Sequence, residues 1–159
     1  MKLLFKQRMF SWFDSYDIYD ESGSTAYTVK GVLSWGHCLK IFDPYGNVLG
    51  VVKEEVFSFL PRFSLYDEYE QCIGQIRKEL TFFRPSFTLD FRGWQIDGDF
   101  FEFNYRVIDP AGRIVMTAGK ELFQWTDTYV LDIADPADAL HCLMVILAID
   151  AAKCSAANN

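Results

Sequence analysis

Up to about residue 133 the chain is written in short alternating hydrophobic and polar runs, broken by turns rich in Asp and Gly. Ser15-Tyr16-Asp17-Ile18-Tyr19-Asp20 is followed by the turn Glu21 to Ser24 and then by Thr25 to Lys30. Cys38 to Asp43 is followed by Pro44-Tyr45-Gly46-Asn47 and then by Val48 to Lys53. Arg106 to Asp109 leads through Pro110-Ala111-Gly112 into Arg113 to Thr117. A period of two bounded by Gly-containing turns predicts antiparallel hairpins. After residue 135 the pattern changes. Asp135 can cap a helix, Pro136 suits its first position, and Asp138 places negative charge at the positive end of its dipole. Every residue from Cys142 to Ile149 is apolar. A helix apolar on all sides must be surrounded by protein. The spacing predicts that helix over about 136–153, with a loose tail at 155–159.

The hairpins repeat. A Lys, a few residues, a small or polar residue beside Trp or Phe, and an alternating strand ending in Asp recur from Lys6, Lys30, Lys53, Lys78 and Lys120. A degenerate copy ends at Asp109. The closing residues Asp20, Asp43, Asp67, Asp90, Asp109 and Asp132 are 23, 24, 23, 19 and 23 positions apart. A fixed period of this size marks one supersecondary unit used repeatedly. Six two-stranded units predict about twelve strands, and open edges among them would invite aggregation. Closing the sheet removes the edges, but side chains alone fill barrels of only about eight strands. The all-apolar helix is the one segment suited to the middle. The expected fold is therefore mainly β: a closed antiparallel barrel of about twelve strands, as six repeated hairpin units, around a hydrophobic C-terminal α-helix. One domain over 1–154 accommodates it. Leu140, Leu143, Met144, Ile146 and Leu147 are expected in the core.

The same repeat sorts the charges. Asp20, Glu21, Asp43, Asp67, Glu68, Asp90 and Asp109 fall at the turn end of the units. Lys6, Lys30, Lys53, Lys78 and Lys120 fall at the other. Charges at strand ends ordinarily make turns and keep edges solvated. The sharper reading is a basic ring that receives an anionic ligand or a membrane surface. Trp12, Trp35, Phe59, Phe83 and Trp125 recur at one repeat position, where they suit core or rim packing or a membrane interface.

Composition narrows the function. A formal net charge of −7 over 159 residues disfavours a general nucleic-acid binder. Cys38, Cys72, Cys142 and Cys154 have no CxxC spacing and read as reduced thiols of a cytoplasmic protein. The apolar run at the N-terminus is too short for a signal peptide, and no stretch suits a transmembrane helix. His37 and Cys38 adjoin on a strand and point to opposite faces. His141 lies in the first turns of the helix and reads as structural. No nucleophile motif, phosphate loop or zinc motif occurs. Asp97-Gly98-Asp99 with Glu102 reads as a turn more readily than as a cation site. Asp150, near the helix end, either emerges at the barrel mouth or marks a polar site within it. No catalytic residue, metal or cofactor is expected.

Several stretches carry a family resemblance. They are Lys6-Gln7-Arg8-Met9-Phe10-Ser11, Tyr19-Asp20-Glu21-Ser22-Gly23, Ser58-Phe59-Leu60-Pro61, Phe87-Thr88-Leu89, Gly98-Asp99-Phe100-Phe101, Trp125 to Asp135, and Val145 to Asp150. Across Met1 to about Asp150 the chain resembles the LURP-one-related family, in particular its small bacterial members, and through them the tubby C-terminal-like and phospholipid scramblase superfamily. The resemblance implies a twelve-stranded barrel around a hydrophobic helix. It implies little about activity, and no basic pocket motif of the tubby domains can be carried over by residue. The expectation is a non-enzymatic binding or signalling module contacting anionic phospholipid, cytoplasmic or peripheral to the membrane. The alternative is a structural or protein-interaction domain with a protein partner and no small ligand.

Overall fold

The computed structural model of the chain describes residues 1–6, 15–81, 86–99, 103–123 and 126–157. Twelve antiparallel strands run up and down in sequence order. They are β1 (Lys2–Lys6), β2 (Ser15–Asp20), β3 (Thr25–Gly31), β4 (Cys38–Phe42), β5 (Val48–Glu54) and β6 (Arg62–Asp67). The second half is β7 (Cys72–Glu79), β8 (Ser86–Asp90), β9 (Gln95–Asp99), β10 (Asn104–Ile108), β11 (Ile114–Phe123) and β12 (Thr126–Ile133). The sheet order is β8-β7-β6-β5-β4-β3-β2-β1-β12-β11-β10-β9. The first strand pairs with the last, Lys2 opposite Asp132. The barrel is nearly closed: among the described residues no ladder joins β8 to β9. The turn between those strands instead carries buried Phe91 and Trp94, packed edge to face at 5.1 Å.

Four hairpins share one turn. Asp20, Asp43, Asp67 and Asp109 each accept hydrogen bonds from the backbone N–H groups two and four residues ahead, at 2.8–3.0 Å. The residue three positions after the Asp adopts a positive φ: Gly23 at 83°, Gly46 at 89°, Gly112 at 80° and Glu70 at 61°. Glycine takes that conformation freely, whereas a side chain strains it. Each turn also shifts the ladder by one residue just before the Asp, between Ile18 and Tyr19, Ile41 and Phe42, Leu65 and Tyr66, and Val107 and Ile108. Such bulges increase the twist that closure of a sheet requires.

Asp135 accepts from the Ala137 N–H at 2.9 Å and caps a 3-10 turn over Pro136–Asp138. The α-helix, α1, follows over Ala139–Ala157. It therefore continues past the expected boundary at residue 153 and takes in the first part of the expected loose tail, since Ala-rich sequence there offers nothing that stops a helix. Leu143, Met144, Ile146 and Leu147 are fully buried, and Leu140 is half-buried against the same core. The helix packs closely on β5: a Cβ added at Gly50 would lie 3.2 Å from Met144 Cε and 3.1 Å from the Tyr66 carbonyl oxygen. Burying each Leu or Ile side chain stabilises the fold by about 1.5–3 kcal/mol, so the helix and the inward-facing residues of the strands hold one another in place. No helix among the described residues is long and apolar enough to cross a membrane.

Candidate functional site: the loop end of the barrel

The up-and-down order puts every Asp turn at one end and the longer connections at the other. Among the described residues, the loop end holds the segments 32–37, 55–61 and 80–81. Most of the exposed large apolar side chains among the described residues are here, with Tyr45 and Tyr69 exposed at the turn end. Leu33 is 83% exposed, Trp35 88% and Phe59 96%, while Phe57 is fully exposed and Val56 and Leu80 are open to solvent. Trp35 and Phe59 thus stand at the rim rather than in the core, because they lie in loops and not on inward strand positions. Trp12, Phe83 and Trp125 lie outside the described residues.

The loops are held rather than loose. The Val32 N–H donates to the Cys38 carbonyl at 2.9 Å, and the Glu54 N–H to the His37 carbonyl at 2.7 Å. The Glu54 carboxylate accepts from the His37 backbone N–H at 3.0 Å and contacts its Nδ1. In the next loop the Glu55 N–H donates to the Arg62 carbonyl at 2.8 Å. Ser58 Oγ lies 2.7 Å from the Leu60 carbonyl oxygen, and Ser64 Oγ donates to Glu55 at 2.7 Å. These bonds pull the 55–61 loop over β6 and bury Ser64 almost completely.

Beneath this loop is a pocket of about 570 Å³. Three cations line it, Arg62, Arg77 and Lys78, with the carboxylates Glu55 and Glu79, the Ser58 hydroxyl, and Phe57, Phe59 and Leu60. Register explains the convergence, since Arg62 is directly opposite Arg77 across the β6–β7 ladder.

The five lysines of the repeat stand on five different strands. Each lies in the second half of a strand leading to the loop end, but of the five only Lys78 lines the pocket. Lys30 sits over the Phe42 ring at 5.0 Å and faces Lys40 across the ladder. Lys53 is exposed opposite Ser64, and Lys120 is exposed on β11 opposite Tyr129. The Lys6 backbone pairs with Thr128. Alternation puts Lys30 and Lys53, next to buried Val29 and Val52, on the outer wall, whereas Lys78 and Lys120 share the register of buried Ile76 and Ala118 and stand at the mouth. Arg62 and Arg77 were not singled out from the sequence, although counting back from the Asp67 turn with its one-residue bulge sets them opposite each other.

Asp150 is also near this end, where its charge acts on Tyr16 of β2 and Tyr105 of β10. Burial pushes its carboxyl up to about 7, partly offset by the Lys153 charge. Burial and then the Asp150 charge raise both tyrosines. The helix end therefore sets a half-buried titratable group at the mouth. At the opposite end, His141 packs on Phe91 at 5.0 Å, and burial lowers it below the ordinary histidine range. Neighbouring Asp138 pairs with Arg92 at 2.7 Å. Asp97 bonds to Arg106 at 2.9 Å, an ordinary ion pair on adjacent strands. Cys38, Cys72 and Cys142 are unbridged. Among the described residues no group of three metal-ligating side chains comes together.

The architecture has relatives. A solved structure of an Arabidopsis thaliana protein superposes with a TM-score of 0.57 over 91% of this chain and 88% of its own, at 14% identity, and so shares the fold. The uncharacterised protein YxjI of Bacillus subtilis is 31% identical over 151 residues, covering 94% of this chain and 92% of its own. The family pattern described as LURP-one-related matches residues 1–150. With a repeat that closes on a buried helix and a match that runs through both, the chain belongs to the LURP-one-related family.

Proposed function

We propose that this barrel is a binding module and not an enzyme, and that its loop end meets an anionic phospholipid surface. The observation that carries the reading is the grouping of solvent-exposed Leu33, Trp35, Phe57 and Phe59 at one end. Contiguous exposed apolar side chains rimmed by polar groups mark an interaction site. Aromatic rings favour the membrane interface, and cations of the adjoining strands, Lys30, Lys40, Lys53, Arg62, Arg77 and Lys78, favour anionic headgroups. The Asp turns point the other way, so a chain of net charge −7 still presents its least acidic end.

Co-sedimentation with phosphatidylserine and phosphatidylcholine vesicles, at low and physiological salt, tests this. Salt-sensitive binding to phosphatidylserine vesicles is expected, weakened when Lys30, Lys53 and Lys78 are replaced together by Gln. If neither vesicle binds, the reading fails. Capture of a saturable protein partner that competes at Trp35 and Phe59 would then make this end a protein-interaction surface.

A further inference from the structure

We propose that the pocket between β6, β7 and the 55–61 loop binds a phosphorylated polyol, its phosphate held by Arg62, Arg77 and Lys78. This goes beyond the membrane reading and does not require it, because the ligand can be a free sugar phosphate or the headgroup of a lipid.

Arg62 and Arg77 are direct cross-strand neighbours, and like charges in that position repel. Lys78 adds a third positive charge at the next residue. Such a cluster is normally threaded with carboxylates. Among the described residues none of the three forms an ion pair, although Glu55 and Glu79 line the same pocket. Glu55 is occupied elsewhere, accepting from Ser64 Oγ at 2.7 Å. Arg62 Nε is buried with no hydrogen-bond partner among the described residues. A buried donor of this kind calls for an acceptor. An oxyanion set between the two guanidinium groups supplies it and relieves the repulsion, and planar guanidinium forks match phosphate oxygens in pairs.

The rest of the lining narrows the class. The volume of about 570 Å³ is that of a small-molecule site and exceeds the needs of a single ion. Glu55 and Glu79 accept hydrogen bonds from hydroxyl groups but repel further negative charge, which disfavours polyphosphates and nucleic acid. Phe57 and Phe59 offer flat apolar faces at the mouth for the C–H face of a sugar or polyol ring. One phosphomonoester with several hydroxyls meets all three conditions.

Calorimetric titration of the full chain with glucose 6-phosphate, glucose and inorganic phosphate tests the soluble form. Vesicles carrying phosphatidylinositol phosphate or phosphatidylserine test the lipid form. The sugar phosphate is expected to bind more tightly than phosphate, and glucose not at all. Arg77→Gln and Lys78→Gln should each weaken binding about tenfold or more, the loss of one charge-assisted bond. Arg77 is exposed, so its variant should fold, and its thermal midpoint without ligand should not fall. Arg106→Gln, on a distant ion pair, should leave affinity unchanged. Sugar-phosphate binding with all vesicles inert upholds the pocket with a soluble ligand and overturns the membrane reading. Binding only to phosphatidylinositol phosphate vesicles, lost in Arg77→Gln, upholds it with a lipid headgroup. Vesicle binding indifferent to Arg77→Gln, with no sugar-phosphate heat, overturns the pocket and leaves the membrane reading standing. Silence in both arms overturns both.

Discussion

The two ends of this barrel are made from the same repeat and have opposite chemistry. At the turn end, Asp20, Asp43, Asp67 and Asp109 spend their oxygens on backbone N–H groups of their own turns. At the loop end, Arg62, Arg77 and Lys78 have no such local partner, and the aromatic side chains beside them are bare. The turn end has its Asp carboxylates satisfied internally, though Tyr45 and Tyr69 are exposed in its turns, and reads as structure. The other leaves donors and apolar surface unmatched and reads as an interface. The contrast teaches that a charged rim is informative only after its hydrogen bonds have been traced.

The sharpest break would come from the loop aromatics. Replacing Phe57 and Phe59 together by Ser should weaken vesicle binding about a hundredfold, the apolar transfer of two rings. Thermal unfolding should be nearly unchanged, because neither ring is buried in the free protein. A large fall in the midpoint would show that these rings support the fold and would dissolve the distinction between the ends.

The ends should also respond to pH with opposite sign. Asp150 has its folded pKa raised to about 7. The folded state then holds a proton that the unfolded state releases, so the stability tied to it is full below about pH 4. That stability is lost as pH rises towards 7, by on the order of 2–4 kcal/mol. Asp150→Asn should flatten this slope in chemical denaturation between pH 4 and 8. Asp20, Asp43 and Asp109 behave in the other sense. Bonds from the Ser22 hydroxyl, the Asn47 amide and the Arg113 backbone, first among their causes, hold these carboxyls below the ordinary range. Their contribution is present above about pH 4 and fades as pH falls through the lowered values.

Removing one of these turn carboxylates is a smaller step. Asp43→Ala deletes the acceptor for Tyr45 and Asn47, and should lower the thermal midpoint by a few degrees while leaving vesicle and ligand binding intact. The smallest effect is a gain. Glu70 occupies the positive-φ position that Gly23, Gly46 and Gly112 fill in the other turns. Glu70→Gly should stabilise by about 0.5–1 kcal/mol, the relief of strain less the added unfolded-state entropy, measurable as a higher denaturation midpoint.

What the sequence determined by itself was the local and periodic part. Alternation with Asp-Gly turns sets the hairpins, their period sets the strand number, and the apolar run from Cys142 to Ile149 requires a surrounding wall. Asp135 and Pro136 mark the helix start because capping needs only neighbouring residues. Tertiary structure decided the rest. Arg62 and Arg77 are far apart along the chain and meet only through the β6–β7 register. The wall positions of Lys30 and Lys53 follow from which strand face turned inward. Asp150 is ordinary in sequence and acquires its raised pKa only from desolvation in the mouth of the barrel. Hydrogen bonds and periodicity act over a few residues and can be read along the chain, whereas desolvation and charge convergence depend on what the closed sheet brings together.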